Sequence, residues 1–510
     1  MTRVAIATTS ALAAEAGRQV ADAGGNAVDA AIAAALVTVN TEPGVCALAG
    51  GAYVTVWAPD RPPVTIDGNH SFPGRGLQPE QLGRGAVNVT MAYGVGISTL
   101  VGVGSVAIPG ALAAFERAWQ DFGGMPWSEL LMPAIAATRD GFPLSSSCRY
   151  YLNFSGDLIF GRSVDGYRAL HTADGPLHDA GAVISVPHLA DSLQAIADEG
   201  AEVFYKGELG RAIADHVRAG EGALTRQDLA AFEAIVRPAM ISEVGGWQIA
   251  TNPPPAVGGA VLTAMLIACA DLPSERWDKA ALDRLVRVYH ACLDYRRDKL
   301  DLSNDIAAPV AELLDAAGSG QLLSKWSSSS TVHTSAVDDN GIGCAITASA
   351  GYGSGEMPAG TGLWLNNGLG EIELNRRGLV GGKPGERLPS NMAPSVARRM
   401  GHVLAIGSPG ADRITSALHQ TLVNLIKFDM TLEDAIAHPR LHVDTTGDVD
   451  TLAAEPGLDL PQTEMPIRHF DSLNMYFGGV GAALCHRQDG FEVASDPRRE
   501  GGVSISGEDV

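Results

Sequence analysis

Two short runs of strand-forming residues on either side of an Asn-Gly pair restrict the fold of this 510-residue chain more than any other feature. The runs are Thr331 to Val337 and Ile342 to Ser349, and Asn340-Gly341 lies between them. Asn-Gly readily adopts the positive φ angles of a tight hairpin turn. The sequence therefore predicts a β-hairpin over 331–349, with Thr331 at the start of its first strand.

The segments before this hairpin carry mostly helical patterns, whereas the segments after it are mixed. Capping residues, Gly-Gly stops and apolar periodicity predict helices before it at 11–23, 27–39, just after Pro109, from about Trp127, 191–198, 207–218 and 226–234. After it, the patterns predict short strands at 363–365, 403–406 and 492–494, and helices at 416–427 and 432–438. We therefore expect residues 1–320 to be helix-rich and the remainder to be a mixed α/β body.

The charge of the chain argues against nucleic acid as a partner. The 36 Lys and Arg residues face 58 Asp and Glu residues, which gives a net charge of −22. Such a field repels phosphate backbones and anionic lipid surfaces. With 46% hydrophobic and 18% charged residues, the composition is typical of a globular protein with a sizeable core.

The apolar segments are too short for a membrane span. The longest, residues 30–39, would cover about half of the roughly 30 Å of hydrocarbon at 1.5 Å per residue. The N-terminus has only Arg3 as an early cation and lacks the form of a signal peptide. We therefore expect a cytoplasmic protein with no membrane partner.

Several chemical signatures are absent from the sequence. No GxGxxG, GxxxxGK[ST] or GxSxG motif occurs, and the six cysteines form no CxxC pair, so they are expected to be buried thiols. His438 and His442 are four residues apart, but Pro439 disfavours the helix that would bring both to a metal ion. We expect neither a metal nor a cofactor.

The junction Ser330-Thr331 joins a serine-rich connector, residues 327–330, to the predicted hairpin. If the bond before Thr331 were cut, the new α-amino group would lie beside its own Oγ and serve as the base that a hydroxyl nucleophile needs. The alternative is a flexible linker followed by an ordinary edge strand. The spacing alone does not decide between the two interpretations.

A second candidate segment follows the strand predicted at 403–406. Its residues Gly407-Ser408-Pro409-Gly410 are small, and a predicted helix comes next. A strand-to-helix turn of this kind exposes backbone N–H groups, which can stabilise the oxyanion of acyl transfer. The same residues are also compatible with a plain turn.

Motifs along the whole chain resemble the gamma-glutamyltransferase family, also called gamma-glutamyltranspeptidase or glutathione hydrolase. Besides the two segments above, they are Gly24 to Ala31, Val106 to Gly110, Pro126-Trp127, Gly141-Phe142-Pro143, Phe204 to Gly207, Leu224-Thr225, Asp228-Leu229, Pro253-Pro254-Pro255, Gly258-Gly259 and Ser495 to Arg499. The resemblance implies an N-terminal-nucleophile hydrolase with an αββα four-layer sandwich. It also implies one precursor that cuts itself into a large subunit, 1–330, and a small subunit, 331–510.

The resemblance assigns the catalytic positions. Thr331 matches the nucleophile, whose Oγ would attack the Ser330 carbonyl during cleavage and the substrate amide afterwards. Ser349 falls where the family has a second Thr that hydrogen-bonds the nucleophile. Gly410 and Ala411 fall on the paired oxyanion glycines, and we expect Ala411 to keep its N–H in place provided that its φ angle is negative.

Substrate-binding positions follow from the same resemblance. Ser390 matches the first of two serines that hold the substrate α-carboxylate, and Asn391 replaces the second. The ligands of the α-amino group fall on Gly351, Gly368 and Glu371, so one of three side chains remains.

Asn69 stands where the family has the Arg that grips the carboxylate, and Arg75 is a nearby candidate to replace it. The resemblance implies hydrolysis or transfer of an acyl group from a small-molecule amide, with γ-glutamyl amides such as glutathione first. One alternative is the same machinery acting on another amide, as in cephalosporin acylases or amidohydrolases of small acid amides. Another is an unprocessed, inactive binding protein, and whether the two subunits assemble into a homo-oligomer stays open.

Overall fold

The computed structural model describes residues 2–92, 96–273, 275–303, 305–319, 331–372, 374–445, 449–487 and 490–508. Its strands are β1 Val4–Thr8, β2 Gly51–Trp57, β3 Val64–Gly68, β4 Val87–Met91, β5 Ile97–Val101, β6 Phe142–Pro143, β7 Val183–Ile184, β8 Ile235–Pro238, β9 Met240–Val244, β10 Trp247–Thr251, β11 Val332–Asp338, β12 Gly343–Ser349, β13 Ser395–Arg399, β14 His402–Gly407, β15 Leu441–Asp444, β16 Thr451–Ala454, β17 Ile467–His469, β18 Gly481–His486, β19 Gly490–Ser495 and β20 Gly502–Ile505. Its helices are α1 Ala11–Asp22, α2 Ala27–Thr41, α3 Ala111–Phe122, α4 Trp127–Asp140, α5 Ser146–Ser155, α6 Val164–Leu170, α7 Leu189–Glu199, α8 Glu202–Tyr205, α9 Glu208–Ala219, α10 Arg226–Ala230, α11 Gly258–Ala268, α12 Lys279–Tyr295, α13 Ala307–Ser319, α14 Arg413–Ile426 and α15 Leu432–Ala437.

Two antiparallel sheets lie face to face at the centre of the molecule. The first has the strand order β20-β1-β11-β12-β2-β3-β8, and the second has the order β19-β18-β14-β13-β10-β9. Mostly small side chains fill the space between them, including Ala5, Ala345 and Ala405, which are fully buried. Such side chains allow the two sheets to approach closely.

Helices cover the outer face of each sheet. Helices α1, α2 and α3 pack on the first sheet, and α11, α14 and α15 pack on the second. Every residue of α2 is buried, because its Ala-, Val- and Leu-rich sequence is apolar on all sides. Asn26 and Asp29 close its N-terminus with a capping box. The four layers confirm the predicted αββα sandwich.

The predicted hairpin is present as β11 and β12, in the middle of the first sheet. Val332 pairs with Ala348, and Gly341 turns the chain with a φ angle of 89°. Each strand has a neighbouring strand on its other edge and a layer on each face, so all residues of both strands are buried. The start of β11 is therefore held within two fully buried strands in the middle of the sheet.

Strands from both sides of residue 330 alternate within each sheet. In the first sheet β11, β12 and β20 lie among β1, β2, β3 and β8, and in the second β13 is the neighbour of β10. The segments 1–330 and 331–510 therefore share their cores rather than forming separate domains.

Three secondary-structure predictions were wrong in part. Residues 1–320 hold helices as expected, but they also supply β1 to β10, whose short apolar runs gave no clear periodic signal. Residues 363–365 form only an isolated bridge, between Leu365 and Ala49. Helix α10 ends at Ala230 rather than at 234, because the chain enters β8 at Ile235. Within the described ranges, no helix has both the length and the apolar character to cross a membrane.

Candidate active site

A narrow pocket opens where β11 begins and β12 ends. It brings together seven of the predicted site residues, which are Asn69, Thr331, Ser349, Glu371, Ser390, Asn391 and Ala411. Gly410 adjoins it in the chain, and Ser330 lies outside the described residues. The sequence motifs thus converge on one place.

Strand register sets the relative position of Thr331 and Ser349. Val332 pairs with Ala348, and continuing this antiparallel register by one residue places Thr331 opposite Ser349. Thr331 is 4% exposed, so its hydroxyl meets the outside only through the pocket. The Ser349 hydroxyl also accepts a hydrogen bond from the Gly351 N–H at 3.1 Å. Two hydroxyl side chains therefore face one cavity from adjacent strands.

The turn between β14 and α14 lies at the same pocket. Gly410 and Ala411 precede Asp412, the N-cap residue of α14, so they lie next to the positive N-terminal end of that helix. The condition of a negative φ at Ala411 is not met: φ is +68° there and +126° at Gly410. A left-handed conformation costs a non-glycine residue about 1–2 kcal/mol, but the N–H is retained at either sign of φ.

Residues behind this turn hold it in place. A Cβ atom on Gly410 would lie 2.6 Å from the Cα of Gly478, so the two backbones are in close contact. The Gly479 N–H donates to the Ser408 hydroxyl at 3.1 Å. The tight fit explains why both sides of the contact are glycine.

Ser390 and Asn391 line the pocket from a loop. The Ser390 carbonyl accepts hydrogen bonds from the N–H groups of Val257 (2.9 Å) and Gly258 (3.0 Å), which fixes this loop to the start of α11. The Asn391 side-chain amide donates to Asp412 Oδ1 at 2.7 Å. Asn391 therefore connects the substrate-binding loop to the N-cap of α14.

A buried ion-pair network continues from Asp412. The Arg296 guanidinium donates to Asp412 Oδ1 at 2.6 Å and to Asp301 Oδ1 at 3.2 Å. Burial opposes the charge on Arg296, but the two carboxylates outweigh it and raise the pKa of the guanidinium. Burial raises the pKa of Asp301. Sequence reasoning missed this network, because residues 296–301 read as an ordinary charged surface segment.

Asn69 does not replace the missing cation. Its side-chain amide donates to the Leu388 carbonyl at 2.8 Å, and the residue is 1% exposed. Arg75, the candidate substitute, lies elsewhere: its side chain is 40% exposed beside Asp228, with 3.9 Å between Nε and Oδ1, and it does not line the pocket. The suggestion that Arg75 takes the place of the family's arginine was therefore wrong.

Sequence reasoning missed two further lining residues, His70 and Asn375. Burial and the positive charge of Arg387 lower the pKa of His70 to about 3, so its imidazole is neutral. Within the described part of the chain, its Nε2 atom has no hydrogen-bond partner. Asn375 is 1% exposed, and its amide donates to the carbonyls of Leu369 (3.0 Å) and Gly378 (3.1 Å). Neither residue carries a motif that would have identified it.

The described residues offer no cluster of three or more His, Cys, Asp or Glu side chains suited to a metal ion. His438 lies at the end of α15, and its Nδ1 is 2.9 Å from the Pro439 carbonyl. His442 Nδ1 is instead 2.9 Å from the Ser416 hydroxyl. All six cysteines are buried, and none forms a disulfide.

Comparisons with known proteins agree with this geometry. The sequence profile of the gamma-glutamyltranspeptidase family matches residues 13–506. The glutathione hydrolase proenzyme of Pseudomonas aeruginosa is 30% identical over 86% of this chain and 82% of its own length. The acylase ACY 1 proenzyme of Pseudomonas sp. strain SE83 is 28% identical over the same shares.

Solved structures support the fold. The cephalosporin acylase of Bacillus halodurans superposes with a TM-score of 0.79 at 22% identity, covering 100% of this chain and 96% of the acylase chain. Taken with the match over nearly the whole sequence, the fold and the pocket place the chain in the gamma-glutamyltranspeptidase family of hydrolases and transferases.

Proposed function

We propose that this protein is a self-processing amide hydrolase and acyltransferase in which Thr331 becomes an N-terminal nucleophile. The observation that carries the proposal is the position of Thr331, which lines the pocket beside Ser349 and shares it with Ala411 at the N-terminus of α14. Nucleophile, partner hydroxyl and oxyanion donor thus share one cavity. No cofactor takes part in this scheme.

Processing uses the same hydroxyl that later attacks the substrate. The Thr331 Oγ attacks the Ser330 carbonyl carbon, and the 330–331 amide becomes an ester on Oγ as the nitrogen takes up the proton. Water then hydrolyses the ester, which leaves a carboxylate on residue 330 and a free α-amino group on Thr331. The products are a large subunit, 1–330, and a small subunit, 331–510, held together by their shared sheets.

Turnover follows the same chemistry on a bound small-molecule amide. The α-amino group of Thr331 takes the Oγ proton as Oγ attacks the carbonyl carbon. Backbone N–H groups of Gly410 and Ala411 stabilise the oxyanion, and the leaving amine takes the proton. Water or a second amine then attacks the acyl-enzyme ester, which gives hydrolysis or transfer.

Two substrate classes have specific support. Ser390 and Glu371, both in the pocket, and relatives named glutathione hydrolase support γ-glutamyl amides. Asn69, which brings no cation to the pocket, and the relative named acylase ACY 1 support an amide with a different acyl group.

The mass of the purified protein under denaturing conditions tests the proposal. The uncut chain has a mass of 53.0 kDa. Cleavage before Thr331 gives fragments of about 34 and 19 kDa, scaled by 330 and 180 residues. We expect both fragments for the wild type and for Thr331→Ser, which keeps the hydroxyl, and one uncut chain for Thr331→Ala. An uncut, folded wild-type chain would instead support a binding protein.

A further inference from the structure

The pocket is lined by one charged side chain. Among the described residues that line it, Glu371 carries a carboxylate and none is Arg or Lys. His70 is neutral because burial and the charge of Arg387 lower its pKa to about 3. Glu371 is itself 4% exposed. The described side chains that line the cavity therefore offer a ligand one carboxyl group and no arginine or lysine.

The arginines close to this region are already engaged. Arg387 donates to Asp67 Oδ1 at 3.1 Å and to the Ser71 hydroxyl at 2.7 Å. Arg296 donates to Asp412 at 2.6 Å. Turning Arg296 toward the pocket would remove the cation from the buried Asp412 carboxylate, and turning Arg387 would leave the buried Asp67 with Arg237 alone; both changes are unfavourable.

Two buried hydrogen-bonding atoms in the pocket wall lack partners among the described residues. The Asn375 amide donates to two carbonyls, which orients its Oδ1 as an acceptor, and this Oδ1 has no donor. The His70 Nε2 atom has none either. Buried polar atoms are almost always paired, so such atoms in a cavity wall point to a ligand. Asn375 also donates its N–H to the Glu371 carbonyl at 2.7 Å, so the two side chains share one turn of the chain.

The His70 ring is held in the wall by two glycines. A Cβ atom on Gly368 would lie 3.1 Å from Cγ of His70, and one on Gly51 would lie 3.1 Å from its Nδ1. Gly368 has no positive φ angle, so its lack of a side chain makes room for the ring rather than for a special backbone conformation. His70 is therefore a built part of the pocket.

We propose that the pocket selects acyl groups that carry an ammonium and no carboxylate, and that Glu371, Asn375 and His70 receive the ammonium. An ammonium has three N–H donors, which match one carboxylate, one amide oxygen and one neutral imidazole. A carboxylate would be buried beside Glu371 without a cation. The inference rests on the proposed function, since the acyl group must reach Thr331.

Four p-nitroanilides that differ only in the acyl group test this selection on the processed protein. The γ-glutamyl anilide carries an ammonium and a carboxylate, 4-aminobutyryl keeps only the ammonium, glutaryl keeps only the carboxylate, and butyryl has neither. We expect the 4-aminobutyryl anilide to have the highest kcat/KM, at least about tenfold above γ-glutamyl and about a hundredfold above glutaryl. An equal or higher value for γ-glutamyl or glutaryl would overturn the proposal.

Variants of the three proposed ammonium-binding residues test the selection through the ratio of kcat/KM for two substrates, which a general loss of activity leaves unchanged. Glu371→Gln should lower the ratio of 4-aminobutyryl to butyryl kcat/KM by at least about tenfold, and Glu371→Asp should restore part of it. Asn375→Ala and His70→Ala should lower the same ratio by smaller factors. The exposed control Glu433→Gln should leave the ratio unchanged. A Glu371→Gln variant with the wild-type ratio would contradict the assignment.

A binding measurement separates this inference from the proposed function. In titration calorimetry, 4-aminobutyramide should bind the wild-type protein at least about tenfold more tightly than glutaramate, whether or not any anilide is turned over. Tighter binding of glutaramate refutes the inference and leaves the role of Thr331 intact. Conversely, cleavage of the Thr331→Ala chain refutes the proposed function without reference to either amide.

Discussion

The two walls of the pocket are built in different ways. On the catalytic wall, strand register sets Thr331 and Ser349, and the N-terminus of α14 sets Ala411. On the substrate wall, Asn69 and Glu371 stand on loops. Side chains on loops can change without disturbing the sheets, whereas the catalytic groups cannot shift without moving the core. Residues of the substrate wall can therefore vary while the positions of Thr331, Ser349 and Ala411 stay fixed.

A physical connection joins the two walls. Asp412 stands at the N-cap position of α14, directly after the turn at Gly410 and Ala411, and its side chain accepts a hydrogen bond from Asn391 on the substrate wall. The Arg296 guanidinium donates a hydrogen bond to the Asp412 carboxylate and balances its charge. The catalytic wall is therefore supported by a buried ion-pair network that sequence patterns alone do not reveal.

The largest effect is expected on the catalytic wall. Thr331→Ala removes the proposed nucleophile, and we expect kcat to fall by at least about 10⁴-fold, as for other nucleophile knockouts. Thr331→Ser should retain activity within about a hundredfold, because it keeps a hydroxyl beside the α-amino group. Anilide hydrolysis measures both. A Thr331→Ala variant with more than about a hundredth of the wild-type rate would place the nucleophile elsewhere.

The second-largest effect is expected for the Arg296 ion-pair network that connects the two walls. Arg296→Met leaves the buried carboxylate of Asp412 without its cation and that of Asp301 with only the more distant Arg376, and we expect a loss of about 3–5 kcal/mol in the free energy of unfolding. Adding Asp412→Asn should recover part of this loss. Urea denaturation measures the change. The control Arg226→Met breaks an exposed pair with Asp215 and should not shift the urea midpoint. A loss below about 1 kcal/mol in the free energy of unfolding for Arg296→Met would show that the network contributes little to stability.

A pH-dependent effect on stability is expected from a buried histidine on β11. His333 on β11 bonds to the hydroxyls of Thr347 (2.8 Å) and Ser335 (2.7 Å), and burial lowers its pKa from 6.5 to about 3. Between those values the unfolded chain binds a proton that the folded chain does not, so stability falls as the pH drops below about 6.5. At about pH 5 this histidine accounts for a loss of about 2 kcal/mol relative to about pH 7.5.

Comparing unfolding at the two pH values isolates this contribution. His333→Gln should reduce the difference in unfolding free energy between about pH 7.5 and pH 5 by about 2 kcal/mol. The exposed control His469→Gln should leave the difference as in the wild type. If His333→Gln also left it unchanged, the imidazole would not be held neutral by the sheet.

The smallest effect concerns the oxyanion turn itself. Ala411→Gly relieves the strain of the left-handed backbone at φ +68°, but it also raises the conformational entropy of the unfolded chain. We therefore expect the free energy of unfolding to rise by no more than about 1 kcal/mol. Because the N–H remains, kcat should stay within about threefold of the wild type. Ala411→Val should instead destabilise, since a β-branched side chain disfavours this conformation. A drop in kcat for Ala411→Gly in the anilide assay would mean that the methyl group, not the N–H, matters.

Local signals explain which parts were predictable from the sequence. The hairpin of β11 and β12 was predicted because its turn residues and its two strand-forming runs lie within twenty residues of each other. The long helices α1 to α4 were predicted from caps and periodicity, to within a few residues at their ends. The resemblance supplied the site positions, and the structure brings Asn69, Thr331, Ser349, Glu371, Ser390, Asn391 and Ala411 to one pocket.

The rest could not be read from the sequence, because it depends on contacts between distant segments. Arg296 meets Asp412 across 116 residues, and the roles of His70 and Asn375 appear only once the loops around the pocket are in place. The close approach of Gly478 to Gly410, next to Ala411, joins segments 68 residues apart along the chain. The cleavage at Ser330 stays a prediction.

The most direct test of the account is to locate the acyl group during turnover. The processed protein is mixed with an anilide, quenched in acid during the burst, digested and examined by mass spectrometry. We expect the acyl mass on the N-terminal residue of the peptide that begins at Thr331. An acyl group on any other residue, or an active enzyme whose 330–331 bond is intact, would contradict the account.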